Sequence, residues 1–458
     1  MERLRTSRCT VKGLVTAAAV LLSLGLVAAA RAQAPSAVLF QNVRIFDGTG
    51  VALSAPSNVL VRDNAIAKIS TAPIAADGAT VIDGGGRVLM PGLIDAHWHA
   101  LFAALTPTDE MANDAGYASL VAAAEASATL MRGFTTVRDL GGPAFALKRA
   151  IDEGLMVGPR IYPSGAMITT TGGHADLRPL SDLPRTPGGA LSALEQSGAS
   201  SIADSPDEVR LRVREQLLQG ASQIKLVGSG GVSSPRSPLE MTTFSEPELR
   251  AAVEVAQDWG TYVTVHAYQP VAIQRAIAAG AKCIEHGHLM DEATAKLMSE
   301  KGIWLSIQPF LGDGDSIPLT GESRVKQLQV IAGTDTTYAL AKKYKLRTAF
   351  GSDLLFSSRL ATRQGAMLAR LTRWYTTAEL LTMATAGNAD LLALSGARNP
   401  YPGKLGVIQE GALADLLLVE GNPLDDIELI ENPEQSLRII MKDGKIYKNT
   451  LAAGARSS

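Results

Sequence analysis

Eight short apolar segments, each followed by a helical pattern, run through residues 91–398 of this 458-residue chain. Strand-like and helix-like segments that alternate in this way favour parallel strands joined by crossover helices. Eight such units predict an α/β fold in which the strands close into a (β/α)8, or TIM, barrel. The predicted strands are Gly92–His97, Thr135–Asp139, Arg160–Ser164, Gln223–Val227, Tyr262–His266, Lys282–His286, Ile303–Gln308 and Arg347–Gly351. Predicted helices between them include Ser119–Arg132, Pro206–Gln219, Glu246–Trp259 and Pro270–Ala279.

Short strand patterns separated by turn residues flank the barrel region on both sides. They predict a small β-sandwich built from both chain ends, residues 33–90 and 399–458, beside a barrel domain of residues 91–398. The predicted strands are Ala37–Ile45, Asn58–Arg62, Ala65–Ser70 and Thr80–Asp83 before the barrel, and Asp415–Val419, Leu437–Met441 and Lys445–Lys448 after it.

The first 32 residues differ from the rest in composition. Basic residues precede an apolar run from Gly13 to Ala30, which ends in Ala30-Arg31-Ala32. The run is near the length of a membrane anchor, but the small residues at its end favour a cleaved signal peptide. We therefore expect export to the periplasm or the medium, with a mature chain that begins near Gln33 and does not associate with the membrane.

The charge and the cysteines of the mature chain exclude two classes of protein. The whole chain has a net charge of −2, and loss of a leader with five basic residues and one acid leaves −6. A mildly acidic chain without a basic stripe is not expected to bind nucleic acid. Cys283 would be the only cysteine left, so no internal disulfide is expected.

Histidines occur where predicted strands end, and catalytic groups gather at that end of a barrel. His97 and His99 are two residues apart on a strand, so both imidazoles can reach one metal ion. His266 and His286 end the fifth and sixth predicted strands and could hold a second ion. Asp353 follows the eighth strand and could ligate a metal and accept a proton. Taken singly, each histidine could be a satisfied core residue, and Asp353 could cap a helix.

Lys225 occupies an inward position of the fourth predicted strand, because Ile224 and Leu226 have the opposite parity. An unpaired ammonium group is costly inside a barrel. The lysine is therefore expected either to pair with an inward carboxylate such as Asp353, or to react with carbon dioxide. The second route gives a carbamate that can bridge two metal ions.

Two long connections, 172–205 and 228–245, follow the third and fourth predicted strands. Loops of this length at a barrel's carboxyl face often cover an active site, although they can also be plain surface insertions. The second is rich in glycine but lacks the Gly-Lys-Ser/Thr of a phosphate loop, so nucleotide binding is not expected. Ser233 and Arg236 lie in this loop and are candidates to hold a substrate carboxylate; Arg236 could equally be solvent-exposed.

These residues together resemble the amidohydrolase superfamily. The superfamily pattern is carried by Asp95-Ala-His97-Trp-His99, Lys225, His266, His286 and Gly351-Ser352-Asp353. Within it, the chain resembles imidazolonepropionase-like metallopeptidases, a group with Xaa-Pro dipeptidases and exported amidohydrolases that hydrolyse ochratoxin A. That likeness is carried by Thr171-Gly-Gly-His174, Lys225-Leu-Val-Gly-Ser-Gly-Gly231, His266-Ala-Tyr268 and Glu285-His-Gly287.

The resemblance implies a site with two divalent ions, for which zinc suits the ligands best. One ion would be held by His97, His99 and Asp353 and the other by His266 and His286, with N6-carboxylated Lys225 between them. His174 and Tyr268 would orient or polarise the scissile carbonyl, unless His174 is an ordinary surface residue. His288 is interpreted as structural. The resemblance also implies a homo-oligomer, with an octamer as one form.

The expected activity is metal-dependent amide hydrolysis that releases a C-terminal amino acid from N-acyl amino acids or short peptides. Ochratoxin A, an aryl amide of phenylalanine, belongs to this class and would give ochratoxin alpha and phenylalanine. A cyclic-amide hydrolase or a deaminase of the same superfamily is the alternative. Deaminases typically carry glutamate at the position of Gln269, which counts against them. A non-catalytic exported ligand carrier is a more distant alternative.

Overall fold

The computed structural model describes residues 37–106, 108–109, 114–186, 188–312 and 314–451. The predicted signal peptide lies outside these residues. In the described part of the chain, none of the helices combines the length and the apolar character needed to cross a bilayer.

Eighteen strands are present in the described residues. They are β1 (Ala37–Ile45), β2 (Ser57–Arg62), β3 (Ala65–Ser70), β4 (Thr80–Asp83), β5 (Val88–Pro91), β6 (Leu93–Trp98), β7 (Phe134–Asp139), β8 (Arg160–Pro163), β9 (Met167–Thr169), β10 (Ser200–Ile202), β11 (Ile224–Val227), β12 (Val263–Ala267), β13 (Cys283–His286), β14 (Trp304–Ile307), β15 (Arg347–Phe350), β16 (Leu416–Val419), β17 (Leu437–Lys442) and β18 (Lys445–Asn449).

Helices connect these strands and follow the last barrel-region strand. The α-helices are Ala115–Met131, Phe145–Asp152, Ala193–Gln196, Pro206–Gln219, Glu246–Asp258, Pro270–Ala279, Glu292–Lys301, Gly321–Lys343, Ser358–Ala361, Gln364–Ala369, Thr377–Thr382, Asn388–Leu392, Glu428–Glu431 and Pro433–Ser436. Short 3-10 segments are Leu180–Asp182, Arg370–Arg373 and Ala393–Arg398, and Met383–Gly387 is a π-helix.

Both ends of the described chain contribute to one eight-stranded mixed sheet. Its order is β18-β17-β16-β5-β1-β2-β3, with β4 paired to β1. The two ends meet where β5 runs antiparallel to β16, with Leu89 opposite Leu418. Apolar side chains of both segments, such as Phe40 and Ile439, share one core cluster. The strands predicted at each end are therefore present and paired, while their arrangement as a sandwich stays a prediction.

The remaining strands form two parallel sheets. One has the order β6-β7-β8 and the other β10-β9-β11-β12-β13-β14-β15. The end of β15 lies beside β6, because the Asp353 amide donates to the His97 carbonyl at 2.9 Å. Among the described residues the two sheets remain separate ladders. The α/β fold with parallel strands is confirmed, and closure of a TIM barrel and the predicted domain boundaries stay predictions.

Local sequence explains why the connecting helices begin and end where they do. The Ser205 side chain accepts from the Glu208 amide and Pro206 occupies the first turn, while Gly220 ends the helix with φ +111°. A serine N-cap, proline in the first turn and a left-handed glycine are the expected boundaries of a helix. This helix, Pro206–Gln219, has the predicted bounds.

A buried ion pair ties the terminal sheet to the parallel strands. Arg160, at the start of β8, donates to both carboxylate oxygens of Asp415 at 2.8 and 3.2 Å, and to Asp443 at 2.7 Å. The two partners Arg160 and Asp415 are 7% and 3% exposed at their side chains. A bidentate arginine–carboxylate pair fixes geometry as well as charge.

Candidate metal centre and active site

The first predicted ligand group assembles where β6 and β15 end. The Nε2 atoms of His97 and His99 lie 3.5 and 3.4 Å from the same oxygen of Asp353, Oδ1. Burial opposes ionisation of Asp353, but the two neighbouring imidazoles hold its pKa below the ordinary value. The carboxylate and the two inward nitrogens therefore face one point, which suits a metal ion.

Three of the four predicted ligand imidazoles have Nδ1 close to a protein oxygen. His97 Nδ1 lies 2.8 Å from Glu285 Oε2, and His99 Nδ1 lies 3.2 Å from the Gly141 carbonyl oxygen. His286 Nδ1 lies 2.7 Å from Gln308 Oε1. Partners of this kind set the tautomer and the ring orientation of metal-binding histidines. Gln308, in the outer layer of the site, was not singled out from the sequence.

The remaining predicted ligands converge on the same place. The rings of His266 and His286 are 4.4 Å apart, and those of His97 and His286 are 5.0 Å apart. Ligand atoms of His97, His286 and Asp353 all lie within 4.8 Å of one another. Lys225 is 2% exposed and lines the same cavity. The donor set thus fits the predicted metal pair.

Burial keeps three of the predicted ligand imidazoles in their neutral form. It lowers the pKa of His97 to about 4 and the pKa of His266 and His286 well below the usual value. A metal ion needs the unprotonated nitrogen of histidine. The environment therefore supplies ligands that need not lose a proton first.

Two of the predicted ligands have an unusual backbone conformation. His286 has φ +76° and Asp353 has φ +50°. Residues other than glycine rarely adopt positive φ, and such conformations concentrate at functional sites. At both positions the chain turns sharply as the strand ends, which directs the side chain towards the cavity.

A cavity of about 160 Å³ lies in front of the ligands. His174 and Tyr268 line it together with the six predicted ligands. The His174 ring stacks on His266 at 4.6 Å, and Tyr268 stacks on His286 at 5.0 Å. The rest of the wall is largely apolar and includes Phe102, Leu177, Phe310, Ile317, Leu319, Ile331 and Phe356.

The two candidates for a substrate carboxylate are placed differently. Ser233 is exposed and lines the cavity. Arg236 is exposed, donates to the Arg178 carbonyl at 3.2 Å and lies outside the described cavity wall. His288, interpreted as structural, is 1% exposed and its Nε2 lies 2.9 Å from the Gln308 carbonyl oxygen.

Comparison with known proteins agrees with this geometry. Residues 88–447 match the amidohydrolase family. The chain belongs to the amidohydrolase family. Its members generally bind metal, and the chain is a hydrolytic enzyme that acts on amide bonds.

Three relatives set this amidohydrolase in context. It is 33% identical to the ochratoxinase of Aspergillus niger over 391 residues, which is 79% of this chain and 76% of the relative. The crystal structure of that ochratoxinase has a TM-score of 0.77, with 91% of this chain and 96% of the other covered. An amidohydrolase crystal structure matches at 36% identity and a TM-score of 0.83, covering 91% of this chain and all (100%) of the other. The crystal structure of a prolidase in complex with N-methylphosphonate-L-proline matches at 32% identity and a TM-score of 0.82, covering 90% of this chain and 100% of the other.

One lysine of this amidohydrolase forms hydrogen bonds with the 228–245 loop, which contributes to the cavity wall. Lys326, in the helix Gly321–Lys343, donates to the carbonyl oxygens of Gly231, Ser234 and Ser237 at 2.8, 2.6 and 3.0 Å. Ser234 in turn lies 2.8 Å from His174 Nδ1. A Cβ on Gly231 would lie 2.3 Å from His174 Cγ, so the loop also packs tightly on that ring. A lysine in a polar helix normally indicates a solvated surface, which is why this contact could not be predicted from the sequence.

Replacing Lys326 by methionine should raise KM for amide substrates about tenfold or more and leave metal content unchanged. The change removes three charge-assisted hydrogen bonds, each worth roughly 1.5–3 kcal/mol, and frees the loop that holds His174. Steady-state kinetics with metal analysis of the same sample measures both quantities. Lys296→Met, at a lysine that is 65% exposed, is the matched control. An unchanged KM in the Lys326 variant would contradict the assignment.

Proposed function

We propose that this amidohydrolase is an exported, homo-oligomeric, binuclear zinc enzyme that releases a C-terminal amino acid from N-acyl amino acids or short peptides. The proposed substrates include ochratoxin A, which the enzyme would cleave to ochratoxin alpha and phenylalanine. The observation that carries the proposal is the convergence of His97 and His99 on Asp353 Oδ1 beside the His266–His286 ring pair. The ochratoxinase and the prolidase among its relatives support this class of substrate.

The six predicted ligands would divide between two ions. His97, His99 and Asp353 would hold one, His266 and His286 the other, and carboxylated Lys225 would lie between them. When bound, two such ions lower the pKa of a water molecule and polarise the amide carbonyl.

Asp353 would transfer the proton from the attacking water to the leaving amine. Its carboxylate is ionised and lies at the cavity, with a side chain 13% exposed. It can accept a proton from the attacking water and later give it to the leaving amine nitrogen. One positioned carboxylate would then serve first as general base and then as general acid.

His174 and Tyr268 would orient the scissile carbonyl. Burial raises the pKa of the Tyr268 hydroxyl, so it stays protonated and can donate a hydrogen bond. Burial lowers the pKa of His174 to about 3, so its ring is neutral. With Nδ1 held by Ser234, His174 has Nε2 left for the substrate.

The apolar wall favours a large apolar group on the substrate. Phe102 and Phe356 lie 6.2 Å apart at their ring centres, and Phe310 lines another part of the cavity. Apolar and aromatic walls with a few placed polar groups are typical of small-molecule sites. An aryl or long-chain acyl group fits this wall better than a charged one.

Carboxylation of Lys225 is consistent with its surroundings. Burial, the largest influence, lowers the pKa of its amine, although Glu285 and Asp353 oppose the shift. A neutral lysine amine is a nucleophile. It would form an N–C bond with carbon dioxide and lose one proton, which leaves an anionic carbamate.

Deamination receives no support from the position that deaminases use. Gln269 is the N-cap of the helix Pro270–Ala279 and lies outside the described cavity wall. Cyclic amides would use the same ligands and are therefore included in the test.

The test is product release by the mature, zinc-loaded enzyme from a panel of N-acyl amino acids, dipeptides, ochratoxin A, a hydantoin and adenine. We expect free amino acid from the first three classes and none after zinc removal. Ammonia from adenine or ring opening of the hydantoin, without amino-acid release, would overturn the proposed substrate class. Light scattering and N-terminal sequencing of secreted material test the oligomer and the export.

A further inference from the structure

We propose that the buried Arg138–Glu285 pair is a positioning device for His97, which fixes the orientation and the tautomer of this ligand before metal arrives. The inference rests on the proposed metal centre. It adds to that centre two residues, neither of them a predicted ligand, from strands β7 and β13.

Glu285 connects a charged partner on one side to His97 on the other. Its Oε1 accepts from Arg138 Nη2 at 2.7 Å, and its Oε2 lies 2.8 Å from His97 Nδ1. Thr264 also donates its hydroxyl to Oε1. The side chain of Glu285 is 0% exposed. Of the two carboxylate oxygens only Oε2 reaches the imidazole, whose Nδ1 also lies 3.2 Å from Gln308 Nε2.

Arg138 reaches both Glu285 and the strand that carries His97. Its Nε donates to the Ala96 carbonyl at 2.6 Å, one residue before His97. Its Nη1 donates to the Tyr262 hydroxyl at 3.1 Å. The guanidinium is 0% exposed. Its contacts with Glu285, Ala96 and Tyr262 anchor it on β13, on β6 and at the residue before β12. It fixes Glu285 relative to the backbone of the ligand that Glu285 contacts.

The Arg138–Glu285 pair is not explained by a contribution to folding stability. Two fully buried charges lose solvation on folding, and well-packed apolar residues often replace such a pair without loss of stability. The pair does, however, place an anionic acceptor on His97 Nδ1. That keeps the ring proton on Nδ1 and leaves the Nε2 lone pair facing Asp353. Arg138 also holds Oε1 of Glu285, which keeps the Glu285 carboxylate from competing with the predicted ligands for the metal ion.

The test separates the pair's charge balance from its contact with His97. Arg138→Met/Glu285→Leu removes both charges and the acceptor, while Arg138→Met/Glu285→Gln keeps an amide oxygen that can accept from Nδ1. We measure zinc affinity by chelator competition, and the absorption spectrum of the cobalt form, on the full chain. Because outer partners of ligand histidines typically contribute 10–100-fold to metal affinity, the leucine variant should bind zinc 10–100-fold more weakly with a changed cobalt spectrum. The glutamine variant should recover most of the affinity.

A second buried pair provides the matched control. Arg160 and Asp415 form an ion pair with side chains 7% and 3% exposed. Arg160 begins strand β8, whereas the predicted ligands lie where the parallel strands end. Arg160→Met/Asp415→Leu should keep wild-type zinc affinity.

Wild-type zinc affinity in folded Arg138→Met/Glu285→Leu would show a structural pair only and overturn the inference. If that variant does not fold, Glu285→Asp takes its place, since it keeps the charges but withdraws the carboxylate from Nδ1. Wild-type affinity there would equally overturn the inference. A wild-type protein that binds no zinc would instead overturn the proposed metal centre.

Discussion

Asp353→Asn should reduce kcat for amide hydrolysis by about 10³-fold or more and leave the chain folded. A positioned acid–base group contributes roughly 10²–10⁴-fold, and the same carboxylate faces His97 and His99 as a predicted ligand. Asparagine tolerates positive φ better than most residues, so the backbone at φ +50° should be kept. The measurement is kcat with matched thermal unfolding curves.

The control for this variant is Asp335→Asn. Asp335 has a side chain 56% exposed and pairs with Arg373 on the surface at 2.7 Å. Its replacement removes a carboxylate of the same kind without touching the cavity, so activity should be unchanged. If Asp353→Asn kept more than about a tenth of the wild-type kcat, where a factor of 10²–10⁴ is expected, the role of Asp353 in proton transfer would be wrong.

Lys225→Ala should remove activity to the limit of detection and lower metal content. The change deletes the proposed bridging carbamate, and it opens space at a residue that is 2% exposed. Added formate or acetate should restore part of both, because a free carboxylate can occupy that space. Native mass spectrometry should show one carbon dioxide on wild type and none on the variant.

Lys282→Ala provides the comparison for Lys225→Ala. Lys282 is exposed and directly precedes β13, so its loss should change neither activity nor metal content. Full turnover by Lys225→Ala without added carboxylate would contradict the bridging role. Wild-type enzyme prepared without carbon dioxide should behave like the variant until bicarbonate is returned.

Local patterns in the chain were enough to predict most elements and the ligand set. Strand Ala37–Ile45 and helices Pro206–Gln219 and Pro270–Ala279 have the predicted bounds. Each shows either period-2 apolar alternation or clear capping residues, both of which are local. His97, His99, His266 and His286 were found because each lies at or just beyond the end of a recognisable strand.

What the sequence did not indicate depends on contacts between distant segments. Strand β5 was missed because its run of apolar residues continues into β6 without a turn. Strands β9 and β10 are three residues each and pair with each other, although a long loop separates them. Gln308 and Lys326 have ordinary local surroundings, and their roles appear only when the fold brings them to His286 and to the 228–245 loop.

The pairing of β5 with β16 also limits how this enzyme could be shortened. Removal of the C-terminal strands would leave β5 with unpaired backbone groups along one side, and exposed strand edges of this kind promote aggregation. It would also strip Arg160 of Asp415, leaving a buried guanidinium without its closest carboxylate. The chain can complete this sheet only after its last strands have been synthesised. A smaller catalyst should therefore be sought by trimming surface loops rather than by removing strands from either end.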